Sequence, residues 1–124
     1  MKLNKFEELE VWKVCRNLHL KVADLVKSFP KDEKFRLVDQ LLRSSRSITA
    51  NIAEGFSRFH YQENIQFCRQ ARGSLSETLD HLICSFDENY INESQIKELR
   101  MIYFQCLKLL NGYIMYLNRK KNEI

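Results

Sequence analysis

Hydrophobic residues recur along the chain in steps of three and four, which is the spacing of one face of an α-helix. The first such run extends from Val11 to Phe29 and is followed at once by Pro30, which cannot continue a helix. A second run begins near residue 32. It is expected to close at Gly55, because glycine readily adopts the left-handed conformation found just past helix C-termini.

Two further runs follow in the second half of the chain. The third extends from Ile65 to Phe86 and has one polar position, Arg72, in its apolar face. The fourth has the clearest start, since Asn92 can cap a helix and Gln95 stands three residues later, as in a capping box. The four runs predict helices over residues 6–28, 32–54, 60–88 and 93–120.

The predicted helices define an all-α fold. Each has 20 or more residues and the connections between them are short, so sequential neighbours must be antiparallel. Four matched apolar faces joined in this way close as an up-down-up-down (antiparallel) four-helix bundle. We therefore predict a single domain over residues 1–124, in agreement with a composition of only 3 Gly and 1 Pro, too few for a many-stranded fold.

Composition and charge bound the cellular setting. Acidic residues precede any apolar run at the N-terminus, and no stretch approaches the roughly 18 apolar residues of a membrane span. We expect a cytoplasmic protein without a membrane partner. Its cysteines form no CxxC pair and are expected to be buried free thiols in a reducing compartment. They are Cys15, Cys68, Cys84 and Cys106.

Between residues 43 and 77 the chain is rich in small and polar residues, which are poor helix formers and need a structural reason. Gly73 in particular costs about 1 kcal/mol relative to alanine inside a helix. We expect a tight helix contact there, with Asn51, Glu54 and Glu77 satisfying the polar atoms near it. The contact would be formed by Ala53, Ala71, Gly73 and Ser74. The alternative is an ordinary solvated face that tolerates a glycine.

The same stretch resembles the 23S ribosomal RNA intervening-sequence proteins of bacteria, also called S23-like proteins. The match extends over nearly the whole chain, and its one departure is Thr49, where the family pattern has proline. The matching positions are Trp12, Phe29-Pro30, Gln40 with Arg43, Ser47-Ile48 with Asn51-Ile52-Ala53-Glu54-Gly55, Arg58, Phe67, and Gly73-Ser74 with Glu77.

The resemblance implies a four-helix bundle whose biochemical role is poorly defined. The family in turn resembles the accessory variability proteins of diversity-generating retroelements, which are pentameric and bind nucleic acid. By that analogy we expect a homopentamer with an RNA-related accessory role. The motif positions that the resemblance assigns to a family contact are Ser47, Asn51, Glu54, Gly55, Gly73, Ser74 and Glu77.

The placement of charge supports nucleic-acid binding independently of the resemblance. The chain carries 20 basic and 16 acidic residues, a mild excess of +4, and several arginines recur at helical spacing. Beside them, aromatic and cationic side chains alternate in a way that can stack unpaired bases and meet phosphates. The alternative is that these arginines pair with Asp39, Glu54 or Glu77 and that the aromatics plug the bundle end. The candidate binding residues are Arg36, Arg43, Arg46, Arg58, Arg69, Arg72, Phe59, His60 and Tyr61.

No catalytic motif stands out. A di-iron bundle needs Glu-x-x-His pairs, and none occurs at His19, His60 or His81. Phosphate-binding glycine loops and zinc-protease motifs are also missing. We expect a protein that is not an enzyme and takes no metal or cofactor.

Large apolar side chains beyond the four stripes suggest self-association, because exposed patches of that kind tend to mark interfaces. The partner is then a further copy of the chain, RNA or another protein. A pure protein-protein interaction scaffold without nucleic-acid binding stays open. The residues expected to form interfaces are Trp12, Leu37, Leu42, Phe67, Tyr103, Phe104, Tyr113 and Tyr116.

Overall fold

The computed structural model describes residues 3–123 and confirms the all-α four-helix bundle. The four helices are α1 (Glu10–Leu25), α2 (Leu37–Phe56), α3 (Tyr61–Asp87) and α4 (Glu93–Asn122). Short 3-10 turns flank them at Phe6–Glu8, Val26–Ser28 and Lys31–Glu33. Each helix contacts its neighbours in sequence, α4 also packs on α1, and the contact between α2 and α3 is the most extensive.

The core follows the predicted stripes with a shift in the last two helices. Leu18, Leu41, Ile48 and Ile65 are completely or almost completely buried. In α3, the polar side chains of Thr78 and Ser85 are buried, while Leu79 is half-buried and Phe86 is exposed. In α4, Tyr103 and Tyr113 continue the predicted three-and-four spacing from Ile96 and Leu99 but are only half-buried, while Ile102 and Ile114 are buried. The longer helices therefore turn a slightly different face inward than the heptad-like spacing predicts.

The second helix begins later than expected, at Leu37 rather than near residue 32. The reason is the carboxylate of Glu33, whose Oε1 accepts from the backbone nitrogen of Leu37 at 3.4 Å. Its Oε2 accepts from the Tyr90 hydroxyl at 2.7 Å, which raises the pKa of Tyr90 to about 12. Glu33 thus links the α1–α2 connection to the α3–α4 connection at one end of the bundle instead of lying within α2.

Gly55 does not end α2 by a left-handed conformation, because the glycines in the described part of the chain have no positive φ. It is buried inside the last turn of α2, where α3 passes close to it. An added Cβ would lie 2.6 Å from Asn64 Oδ1 and 3.0 Å from Phe67 Cβ. The position requires glycine for close helix approach, so the reason given for Gly55 from the sequence was wrong.

The other predicted glycine contact is also wrong within the chain. Gly73 is exposed, and a Cβ added there would meet no atom within 4 Å. Ala71 is buried and Ser74 does contact α2, but the close approach of the two helices lies near Gly55. The close-contact role that the sequence assigned to Gly73 therefore belongs to Gly55, while Gly73 lies in the middle of α3 and neither ends a helix nor makes a close contact within the chain.

The start of α4 is as predicted. Asn92 Oδ1 accepts from the backbone nitrogen of Gln95, and Gln95 Oε1 accepts from that of Asn92, each at 2.8 Å. None of the helices described within residues 3–123 combines the length and apolar character needed to cross a bilayer.

Candidate nucleic-acid interface

The α2–α3 seam is a row of small polar side chains between the two central helices, formed by Ser44, Ser47, Asn51, Ser74 and Thr78. Ser47 Oγ lies 2.8 Å from Ser74 Oγ, and Asn51 Nδ2 donates to the carbonyl oxygen of Ser47 at 2.8 Å. Thr78 Oγ1 donates to Ser44 Oγ at 2.8 Å. Across residues 3–123 every buried side-chain nitrogen and oxygen has a hydrogen-bond partner. The seam therefore uses its polar groups internally.

The other motif residues lie at the edges of this seam. Glu54 Oε1 is 3.4 Å from Arg58 Nη2, while Glu77 Oε2 is 3.3 Å from His81 Nε2. Arg43 Nε is 3.3 Å from Asp39 Oδ2, and its side chain is 80% exposed. The expected alternative of ion pairing thus holds for Arg43 and Arg58. Exposed pairs of this type contribute about 0–1 kcal/mol, so the two arginines can exchange them for phosphates.

The predicted binding arginines do not form one surface. Arg36 lies at the start of α2, about 30 Å from Arg58 by the rise of a helix of this length. Arg46 is exposed beside α1, where its charge helps to lower the pKa of His19. Arg72 Nη1 donates to Asn111 Oδ1 at 2.8 Å and so bridges α3 to α4. Arg69 is exposed on α3.

The predicted aromatic and cationic residues of the α2–α3 turn do come together. Phe59 is 92% exposed, and its ring meets that of His60 edge to face at 5.0 Å. Tyr61, the first residue of α3, is also exposed. Arg58 places its guanidinium 4.9 Å from the centre of the Phe67 ring. These side chains stand at the end of the bundle where α2 ends and α3 begins.

The C-terminal part of α4 completes this end with residues that the sequence analysis did not assign to binding. Tyr113 and Tyr116 hold their rings within 10° of parallel with centres 6.3 Å apart. Lys121 Nζ donates to Gln62 Oε1 at 3.0 Å. Because Gln62 is neutral, this contact does not neutralise the positive charge of Lys121. We call the following set the aromatic end: Arg58, Phe59, His60, Tyr61, Tyr113, Tyr116 and Lys121.

A sequence signal for this part of α4 existed. Residues 99–122 contain five Lys or Arg residues and no Asp or Glu. A stretch of one charge sign on a helix that also carries aromatics is typical of a surface that meets an anion. The three basic residues in the last turn also suit the negative pole of the helix.

Other clusters offer less chemistry. Cys15, Cys68 and Cys106 are buried free thiols as predicted, whereas Cys84 is exposed on α3. Burial raises the pKa of Cys68 to about 12, so this thiol stays protonated and unreactive. Among residues 3–123 no group of three or more His, Cys, Asp or Glu side chains is placed to hold a metal ion.

Most of the expected interface residues are used by the bundle itself. Leu37 is buried, and Trp12, Leu42, Phe67, Tyr103 and Tyr113 are half-buried. Phe104 and Tyr116 do remain exposed. The exposed apolar surface of α4 includes two residues that the sequence analysis did not single out, Met101 and Met115. We call the set Met101, Phe104 and Met115 the outer stripe of α4, exposed by 67%, 55% and 61%.

Fold and site define a small helical-bundle protein with a polar internal seam and an aromatic, cationic end. The chain belongs to the 23S rRNA-intervening sequence protein family, whose model matches residues 7–112. The fold is shared with a crystal structure at 1.70 Å of a protein with unknown function from the S23 ribosomal protein family of Bacteroides thetaiotaomicron VPI-5482. The two have a TM-score of 0.78 and 25% identity over 85% of this chain and 95% of that chain. No curated protein matches.

Proposed function

We propose that the protein is a non-enzymatic, homo-oligomeric accessory protein that binds RNA through the aromatic end. One observation carries the proposal: exposed ring faces and cationic groups converge there from two separate segments of the chain. Unpaired bases stack on such rings, and adjacent cations meet the phosphates.

The distribution of the arginines favours single-stranded RNA over a duplex. A duplex engages long rows of phosphates, which calls for cations spread along one face. Here Arg58 and Lys121 lie at the bundle end beside the rings, while Arg36 lies at the other end. Glu54 and Glu63 lie within 4.0 Å of Arg58, so the local charge is balanced rather than strongly positive. Stacking therefore supplies a large share of the binding free energy.

Self-association is the second part of the proposal. The outer stripe of α4 is an apolar surface that no other part of residues 3–123 covers, and such surfaces tend to be buried by partners. We propose that a further copy of the chain covers it. Five subunits are proposed on the resemblance to the accessory variability proteins. A cytoplasmic location is proposed as well, with three buried free thiols in its favour.

The outer stripe also favours a second candidate function. If another protein covers Met101, Phe104 and Met115, the bundle is an interaction scaffold and needs no nucleic acid. A scaffold of this kind would bind its partner largely through apolar contacts, with little dependence on salt.

Light scattering of the purified protein, alone and with a 20-nucleotide single-stranded fragment of 23S rRNA, tests both parts. We expect an oligomeric mass that gains RNA at low salt and loses it at raised salt, because phosphate contacts release counterions. An oligomer whose mass does not increase with RNA at any salt concentration supports the scaffold function. A monomer contradicts the proposed assembly.

Two matched variants locate the contact. Arg58→Gln and Arg36→Gln remove the same charge at opposite ends of α2. We expect Arg58→Gln to weaken RNA binding and to lower the salt dependence by about 0.7 in log–log slope, the contribution of one phosphate on a single strand. Arg36→Gln should leave both unchanged. Equal effects of the two variants would show that the RNA does not contact the aromatic end.

A further inference from the structure

The aromatic end contains a cleft of about 540 Å³ between the α2–α3 turn and the C-terminal part of α4. Its size falls within the range of small-molecule sites in proteins. Aromatic rings line it from two segments, with Phe56, Phe59 and Tyr61 in or next to the α2–α3 turn and Tyr113 and Tyr116 on α4. A cleft with rings on both walls suits a flat aromatic ligand better than a flexible aliphatic one.

A polar pair stands in the same cleft. Asn64 is almost fully buried, and its Nδ2 donates to the Tyr113 hydroxyl at 3.2 Å. Because the hydroxyl accepts this bond, its own proton is available to an acceptor such as a ring nitrogen or carbonyl oxygen. Burial raises the pKa of Tyr113 to about 12, which keeps that proton in place. The cleft therefore offers one fixed donor among ring faces.

Arg58 is among the residues that line the cleft, and two lysines lie next to it on α4. Lys121 is tied to Gln62 at the start of α3, and Arg58 leans over the ring of Phe67. Lys120 lies 5.9 Å from the centre of the Tyr116 ring. A ligand with a flat ring and an attached phosphate would place its ring in the cleft and its charge at these groups.

We propose that this cleft binds a single unpaired nucleobase of an RNA strand, with the flanking phosphates at Arg58 and Lys121. The inference rests on the proposed RNA-binding function and names the part of the RNA that is recognised. The base stacks on the exposed rings, and the Tyr113 hydroxyl donates to its edge. Since every base has a stacking face and an acceptor, the site requires a base but tolerates any sequence.

Fluorescence anisotropy with two labelled strands tests the proposal. One strand is an oligoadenylate of ten nucleotides, and the other is an abasic ribose-phosphate strand of the same length and charge. We expect the abasic strand to bind at least about fivefold more weakly, which corresponds to the loss of one base–aromatic stack of about 1 kcal/mol or more. Equal binding of both strands overturns the base site but leaves the RNA-binding function standing. Binding of neither strand overturns the RNA-binding function itself.

Two surface variants locate the site on the protein. Phe59→Leu acts in the cleft, and Phe35→Leu is its matched control, since Phe35 is 84% exposed in the turn at the opposite end of the bundle. Both side chains are so exposed that neither change should affect folding. We expect only Phe59→Leu to weaken oligoadenylate binding, and to leave abasic binding unchanged. Equal affinities of the two variants, or a lower oligomer mass of Phe59→Leu without RNA, overturn the proposal.

Discussion

The α2–α3 seam and the aromatic end are built largely from one stretch of sequence, yet their side chains are placed in opposite environments. In the seam, hydroxyl and amide groups bond to one another, as in the 2.8 Å contact between Ser47 and Ser74. At the aromatic end, Phe59 and Tyr61 are left facing solvent. Polar side chains, which are usually found at the surface, are here paired between two helices. Aromatic rings, which are usually buried, are here exposed to solvent.

This difference separates side chains that stabilise the fold from side chains that are free to bind a ligand. Side chains whose bonds are completed within the chain contribute to folding, and their loss should reduce stability. Exposed rings contribute nothing to the core, and their apolar surface is unfavourably exposed to water. A ligand that covers them removes this surface from water, which favours binding. Changes in the seam should therefore alter the free energy of unfolding, and changes at the aromatic end should alter binding alone.

The strongest test of the contact between α2 and α3 is Gly55→Ala, at the point where the two helices approach most closely beyond the seam. The added Cβ would stand 2.6 Å from Asn64 Oδ1 and 3.1 Å from the backbone oxygen of the same residue. Overpacking of this kind typically costs about 1–3 kcal/mol and exceeds the helix propensity that alanine gains. We expect a clear loss of stability, measured by urea unfolding with circular dichroism.

Gly73→Ala is the matched control for Gly55→Ala. A Cβ at Gly73 meets open space within the chain, so only the propensity gain of about 0.5–1 kcal/mol remains. We expect this variant to be more stable than the wild type. A loss of stability at both glycines would mean that Gly73 is packed against another subunit, and the two positions would then no longer differ.

A smaller effect is expected from removing one hydroxyl of the seam. Thr78→Val keeps the shape of the side chain but leaves the buried Ser44 Oγ with only its 3.4 Å contact to the carbonyl oxygen of Leu41. The loss of this buried hydrogen bond should cost about 0.5–1.5 kcal/mol. The same change at Thr49, whose hydroxyl is at the surface, should stay within about 0.5 kcal/mol.

A double variant sharpens this result. Adding Ser44→Ala to Thr78→Val removes both partners, so the combined loss should be smaller than the sum of the two single losses. Additive losses would show that the two hydroxyls do not depend on each other. The seam would then be a row of independent groups rather than a bonded unit.

Local interactions explain which parts of the fold were predictable. The capping box of Asn92 and Gln95 needs only four consecutive residues, and it was predicted correctly. The start of α2 was misplaced because Glu33 bonds to Tyr90, 57 positions away. The roles of Gly55 and Gly73 depend on how α3 is rotated against α2, which no local pattern encodes. Helix periodicity therefore gives the elements but not the contacts between them.

The same distinction applies to the candidate site. Arg58, Phe59, His60 and Tyr61 are consecutive, so the sequence could group them. The contribution of α4 was missed because Lys121 meets Gln62 across 59 positions. The sequence also predicted that the arginines of the second and third helices form one binding surface, whereas in the structure Arg72 donates to Asn111 on α4. Which cations share a surface depends on the packing of whole helices.

The last and smallest effect concerns pH. The α2–α3 seam contains only neutral groups, whereas the contact between α2 and α1 includes a histidine. His19 Nδ1 lies 2.7 Å from Ser45 Oγ. Burial and the charge of Arg46 hold the pKa of His19 below its ordinary value of 6.5. As the pH falls below that value, the unfolded chain binds a proton at His19 that the folded chain does not, so the contribution of His19 to stability is present above pH 6.5 and is lost as the solution becomes more acidic.

His19→Gln keeps a hydrogen-bonding side chain beside Ser45 but cannot titrate. We expect the difference in urea midpoint between about pH 7.5 and about pH 5.5 to be smaller for this variant than for the wild type. His60→Gln is the control, since His60 is exposed in the turn at the aromatic end and lies outside the core. Identical pH dependence in all three proteins would show that the α1–α2 contact accepts a charged imidazole as readily as a neutral one. The α1–α2 contact would then tolerate a charge as an exposed surface does. Of the two contacts of α2, only the α2–α3 seam would be a strictly neutral one.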